Sequence, residues 1–165
     1  MTDERMGAAL WPALRRLPAG SGVVVRHHAT PPAERRRLVR RIERIAAARR
    51  LMVVVAGGGT PGRSGTHGHA HGPGPRSWSA HGHREAIAGR RAGAALLFVS
   101  PVRPTRSHPG APALGPMRAA RIATGLLPRP MVIALGGMDE RHWRRMRRLG
   151  FDGWAGIDAW LGSGS

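Results

Sequence analysis

Three loops between residues 97 and 159 place glycine or hydroxyl residues at the end of a short apolar run. Leu97-Phe98-Val99-Ser100 leads into Pro101-Val102-Arg103-Pro104-Thr105-Arg106-Ser107-His108, Met131-Val132-Ile133-Ala134-Leu135 leads into Gly136-Gly137-Met138, and Gly153-Trp154-Ala155-Gly156-Ile157 leads into Asp158-Ala159. Glycine has no Cβ, so its N–H can come close to an anionic oxygen, while Thr105 and Ser107 add hydroxyl donors. The chemistry these loops suit is phosphate binding at the carboxyl ends of parallel strands. With Asp139 opening a helix directly after it, Gly136-Gly137 is expected to be an anion-binding helix start, and a tight strand-to-helix turn is the plainer alternative.

Other chemistry is narrower. The chain has no Cys, which removes disulfides, a thiolate nucleophile and Cys-ligated zinc together. His67, His69 and His71 alternate and would share one face of an extended segment, yet no acid completes a metal shell, so a Gly-His loop is the expectation and no metal ligand is assigned. His81 stands at a strand end, where it can contact a substrate or fill the top of the fold. Trp143, Met146 and Leu149 recur at helical spacing and are read as core.

The elements that must carry these residues alternate. Strands are expected at Gly22 to Arg26, Leu51 to Ala56, Thr66 to His69, Trp78 to Ala80, Ala94 to Val99, Pro130 to Leu135 and Gly153 to Ile157. Helices are expected at Ala8 to Arg16, from Pro31-Pro32 to Arg50, and at His83 to Ala92, Pro116 to Leu126 and Asp139 to Leu149. Gly57 to Arg76 has no helical period and supplies no crossover helix. Strands alternating with helices give an α/β fold with a parallel sheet, one strand short of a closed (β/α)8 barrel.

With 165 residues, 41% hydrophobic and 22% charged, the chain suits one domain over 1–165. Its 24 Gly and 14 Pro lie between the periodic segments. The N-terminus lacks a signal peptide's basic-then-apolar order and no apolar run reaches transmembrane length, so a cytoplasmic protein without membrane contact is expected. A formal net charge of +18 raises nucleic acid as a partner. In the helix after Pro32, however, Leu38, Ile42, Ile45 and Ala46 form an apolar stripe that leaves Arg35, Arg36, Arg40, Arg41 and Arg44 as a solvated exterior. No nucleic-acid motif or stacking aromatic set accompanies the charge, and no nucleic-acid role is expected.

From Ser79 to Ala159 the chain resembles the thiamine phosphate synthase and TenI family, whose members are TIM barrels. Ser79-Ala80-His81 with Glu85-Ala86 resembles the family's Ser-x-His strand end and following helix. Ser100 to Ser107 resembles its Gly-Pro-Val-Phe-x-Thr-x-Thr loop, and Ala134-Leu135-Gly136-Gly137-Met138 its Ile-Gly-Gly-Ile phosphate loop. The resemblance implies an enzyme of thiamine biosynthesis, a transferase joining hydroxymethylpyrimidine pyrophosphate to thiazole phosphate with release of pyrophosphate. It places Arg26, His28, Ser79, His81, Thr105, Ser107, His108, Gly136 and Gly137 on the phosphorylated substrates, and assigns no catalytic residue. Pro101 stands where the TenI tautomerase has its His, which favours the synthase-like branch.

Several positions depart from the pattern. Val24-Val25-Arg26-His27-His28 replaces a Gln-x-Arg-x-Lys, and His108 replaces the loop Lys. The last-strand Ser position falls on Asp158. The family's two Asp ligands for Mg2+ fall on Ala56-Gly57 and in the acid-free stretch Thr66 to Trp78, so the resemblance implies Mg2+ where its ligands are missing. His28 and His108 are expected to act as replacement cations around pyrophosphate, binding less well as pH rises past roughly 6.5. A catalytically degenerate phosphate-ligand-binding or regulatory protein of the TenI kind is the alternative. Thr2-Asp3-Glu4-Arg5 resembles the segment after the family's first strand. The expected barrel is therefore incomplete, its first strand missing and the helix between its third and fourth strands eroded. Its unpaired edges invite homo-oligomerisation, and a natural start upstream would supply the missing strand.

Overall fold

Asp3 sets where helical structure begins. Its carboxylate accepts the Arg5 N–H at 3.1 Å and caps a 3-10 stretch, Glu4–Ala9, that runs into α1 (Leu10–Arg16). Helical structure thus starts earlier than the apolar pattern at Ala8 suggests, because the cap and not the apolar period fixes the start. The structure, a computed structural model, describes residues 1–57, 64–68, 74–105, 110 and 112–161. The chain divides into two compact units, Met1–Pro75 with Ile157–Ser165, and Arg76–Gly156.

The first unit holds β1 (Gly22–Val25), α2 (Pro32–Arg49), β2 (Met52–Ala56) and β3 (Gly65–His67). The strands pair in parallel, Val25 opposite Val55 and Ala56 opposite His67. The Val runs of β1 and β2 are almost wholly buried, as a strand covered on both faces requires. On α2 the buried residues are Val39, Ile42 and Ala46, while Leu38 and Ile45 are half-buried, so the stripe is rotated by about one residue from the expected one. Arg35 corrects the reading of a solvated basic exterior. It bends under the helix to donate from Nε to the His27 carbonyl at 2.9 Å and from Nη2 to the Ala56 carbonyl. Those carbonyls lie beyond the last residue of β1 and at that of β2, and the guanidinium ties the two strand ends together. Ahead of β1, a single parallel bridge joins Thr2 to Val25, with Thr2 N–H donating to Val24 O at 2.9 Å. Between β2 and β3 the chain has only Gly57 to Ser64, shorter than the roughly dozen residues a helical crossover needs.

The second unit is a regular alternation: β4 (Arg76–Ala80), α3 (His83–Arg91), β5 (Leu96–Val99), α4 (Pro116–Ala123), β6 (Met131–Leu135), α5 (Glu140–Arg148) and β7 (Gly153–Ala155). Each strand pairs in parallel with the next. Leu97, Val99, Val132 and Ala134 are fully buried at its centre, and Met146 joins them from α5 with Trp143 and Leu149 packed alongside, as expected. Helix α4 stops before the expected Leu126, because Thr124 turns extended and Gly125 takes a φ of 74°. Gly89 lets α3 lie against Trp78, where an added Cβ would come within 2.7 Å of the indole.

Candidate functional site

In the second unit the carboxyl ends of β4, β5 and β6 are laced together by backbone. Ser100 N–H donates to Ala80 O at 3.0 Å, Val102 N–H to Leu135 O at 2.8 Å and Arg103 N–H to Gly136 O at 3.2 Å. Val102 is buried and anchors the loop after β5 from within the core. Gly136 and Gly137 take φ values of 94° and 58°, and a Cβ on Gly136 would lie 2.9 Å from Pro101 Cα. On Gly137 it would lie 2.5 Å from Pro104 O and 2.8 Å from Arg103 Cβ. Packing alone therefore demands glycine at both positions, as the plainer turn reading holds. The same contacts put the Arg103 stem against Gly137. Arg103 stands where the family motif has Phe, and the sequence signal for it was a cation inside a hydroxyl loop.

Helix α5 begins with its own anion. Asp139 Oδ1 accepts the His142 N–H at 2.7 Å, and that hydrogen bond, followed by the charges of His142 and Arg103, holds the carboxyl below the ordinary Asp range despite opposing desolvation. A capped N-terminus offers fewer donors to a ligand, so anion recognition here would depend on the glycine loop and Arg103 more than on the helix end. His81 is exposed. Its Nδ1 lies 2.7 Å from the Ser100 carbonyl, which can only accept, so Nδ1 carries the hydrogen and Nε2 of the neutral ring is an acceptor. Its backbone N–H donates to Glu85 Oε2 at 2.6 Å, tying the residue to the first turn of α3. Ser79 is half-buried on β4 opposite Phe98, and Thr105 is half-buried in the loop. Ser107 and His108, like His69 and His71, lie outside the described residues.

In the first unit, the strand ends gather bases. Register places Arg26, one residue past Val25, level with Ala56 and its partner His67. The His28 ring lies over Gly57, its Nδ1 3.9 Å from where a Cβ there would stand. Burial lowers the His67 pKa, and Arg26 and His28 lower it further. Burial and then Arg26 bring the Met1 amine down to about 6, against the pull of Asp3. His27 is buried, 3.1 Å from Thr2 Oγ1, and burial likewise lowers its pKa against Glu4 and Asp3. Arg35 and His67 were absent from the sequence-derived site. Arg35 carried no signal, since one arginine among many on a helix does not announce a buried partner.

Three acids of this unit are engaged elsewhere. Asp3 pairs with Arg5 at 2.7 Å, Glu4 accepts from Ala29 N–H at 2.8 Å, and Glu43 accepts from Ser64. Among the described residues no group of three His, Asp or Glu side chains could hold a metal ion. The Mg2+ that the resemblance implies needs hard oxygen donors, and these strand ends present imidazole, guanidinium and a Gly in their place. The group does not fit the residues present.

The family model described as thiamine monophosphate synthase matches residues 77–160. The chain belongs to this family. Among solved structures it is similar to a thiamine phosphate pyrophosphorylase from Pyrococcus furiosus, with a TM-score of 0.77 and 17% identity over 98% of this chain and 85% of that one. No curated protein matches it. The likeness fixes the fold class as the TIM-barrel type, incomplete, with seven strands among the described residues. No described helix is long and apolar enough to cross a membrane.

Proposed function

We propose that the chain is a thiamine phosphate synthase-like protein of phosphorylated thiazole and pyrimidine ligands. The observation that carries this reading is the close fit of Pro101 to Pro104 against Gly136-Gly137, which holds a glycine backbone beside Arg103 at the carboxyl ends of β5 and β6. Thiazole phosphate would bind there, and Thr105, Ser107 and His108 would serve the hydroxyl loop. In the reaction the thiazole nitrogen attacks the pyrimidine methylene carbon, a C–N bond forms, and the C–O bond breaks with its electron pair leaving on pyrophosphate. Arg26 and His28 are the groups of the first unit suited to a diphosphate.

A second reading, a catalytically degenerate phosphate-ligand-binding or regulatory protein, is favoured by one observation: the described strand ends of the first unit carry no carboxylate for the family's metal. A coupled assay with both substrates and Mg2+, run beside calorimetry with thiazole phosphate, separates the two. Thiamine phosphate formation supports the synthase. Thiazole phosphate binding without product selects the second reading, and absence of thiazole phosphate binding sinks both.

A further inference from the structure

Helix α5 carries arginine on the face turned away from the core. Arg141, Arg144, Arg145 and Arg148 are all exposed, and their spacing of i, i+3, i+4 and i+7 puts them within about 100° of the helix circumference. Met146 is buried on the opposite side, with Trp143 and Leu149 packed alongside it. Glu140 is the one acid in the helix, and none of the four guanidinium groups has an ion pair or hydrogen bond among the described residues. Arginine does not lose its proton in proteins, so these are fixed charges. Helix α2 repeats the spacing at Arg37, Arg40, Arg41 and Arg44, but there Arg41 lies over the Trp11 ring, 3.7 Å from its centroid, and part of the stripe is taken up by packing. On α5 the stripe is unbroken.

A solvated exterior does not account for that stripe. Its members form like-charge pairs at i,i+3 and i,i+4, which destabilise a helix, and Arg141 stands in the first turn, where the helix dipole opposes a cation. A polyanion laid along α5 relieves both. The stripe is about 10 Å long at roughly 1.5 Å per residue, and double-stranded DNA presents one phosphate charge per roughly 1.7 Å of axis, about six over that length. An anionic membrane fits less well, because an interfacial helix sinks an apolar face into lipid and the apolar side of α5 is already in the core. Duplex RNA is gripped through its 2′-hydroxyls, for which guanidinium offers no acceptor. The lack of stacking aromatics and of a recognition motif, which speaks against a nucleic-acid role in the sequence, bears on single strands and on base readout, and contacts to duplex phosphates need neither. We infer that the Arg141, Arg144, Arg145 and Arg148 face of α5 docks the phosphate backbone of double-stranded DNA without reading its sequence. This activity goes beyond the binding of phosphorylated small molecules and does not depend on it.

The test is fluorescence anisotropy of a labelled DNA duplex of about 20 base pairs, titrated with the full chain at several salt concentrations. Binding is expected at low salt, with log affinity falling linearly against log salt and hardly changing between duplex sequences. Arg141→Gln, Arg144→Gln, Arg145→Gln and Arg148→Gln together should weaken it by about a hundredfold and make the salt slope shallower by about three. The matching four-Lys variant should keep the slope, since charge carries the contact. A charge-matched control removes four exposed arginines from α3 and α4, by Arg84→Gln, Arg91→Gln, Arg118→Gln and Arg121→Gln, and should weaken binding by about threefold at most. Equal losses in the two Gln variants overturn the inference, because diffuse charge then carries the binding. No binding of the duplex by the parent chain overturns it too, as does tighter binding of single-stranded DNA, of duplex RNA or of phosphatidylserine vesicles. Should the four-Gln variant fail to fold, Arg145→Gln alone is expected to lower the slope by about one, and an unchanged slope counts against the proposal. The family reading stands or falls separately, on the binding of thiazole phosphate.

Discussion

The two units treat the same problem, placing polar groups at the ends of parallel strands, in different ways. In Arg76–Gly156 strands and helices alternate throughout, and the loops at the strand ends are fixed by backbone hydrogen bonds and by glycines that no other residue could replace. In Met1–Pro75 one connection is too short for a crossover helix, and the strand ends are held by a half-buried Arg35 and a Thr2–His27 contact. The family model covers the first of these regions and not the second. Recognition built on backbone survives changes of side chain, because the donors belong to the chain path. Recognition built on side chains changes sign with each substitution.

The largest expected effect would break the backbone half of that comparison. Gly137→Asp should weaken thiazole phosphate binding by about two orders of magnitude, since the carboxylate repels the ligand and its Cβ collides with Pro104 O. Parent-like affinity in calorimetry would place the phosphate elsewhere. Gly89→Ala sharpens the packing side. The methyl group would strike Trp78, and the overpacking should outweigh the better helix propensity, costing about 2 kcal/mol in denaturant unfolding.

Asp139→Ala is expected to move stability and binding in opposite directions. Loss of the cap should cost about 1 kcal/mol, while removal of the carboxylate beside Arg103 should tighten phosphate binding. A drop in both would mean that the carboxylate orders the loop for its ligand.

Acid should discriminate between the units. His27 and His67 have lowered pKa values in the fold, so the unfolded chain binds protons more readily there. Their contribution to stability is complete above the unfolded value near 6.5 and is lost as pH falls from there through the lowered folded values. Hydrogen-exchange protection in β1 and β2 should fall between pH 7 and pH 5 by more than protection in β5 and β6, and equal losses would contradict the assignment. The smallest effect belongs to Arg50, which closes α2 at a φ of 54°. Arg50→Gly relieves that backbone and should raise stability by about 0.5 to 1 kcal/mol, read as a shift in the unfolding midpoint.

The amino-acid sequence by itself determined the alternation of strands and helices, because buried Val and Leu runs have one period and amphipathic stretches another, and short-range patterns record both. It also located the Gly136-Gly137 turn and the missing acids at Ala56-Gly57, since these are matters of residue type. The tertiary structure alone decided what depends on distant neighbours. It turned Arg35 from a solvent-facing charge into the ligand of two strand-end carbonyls, brought Arg103 against Gly137, and set Arg26 level with His67. Register between strands that are far apart in the chain is fixed by packing of both faces, and a local pattern carries no record of it.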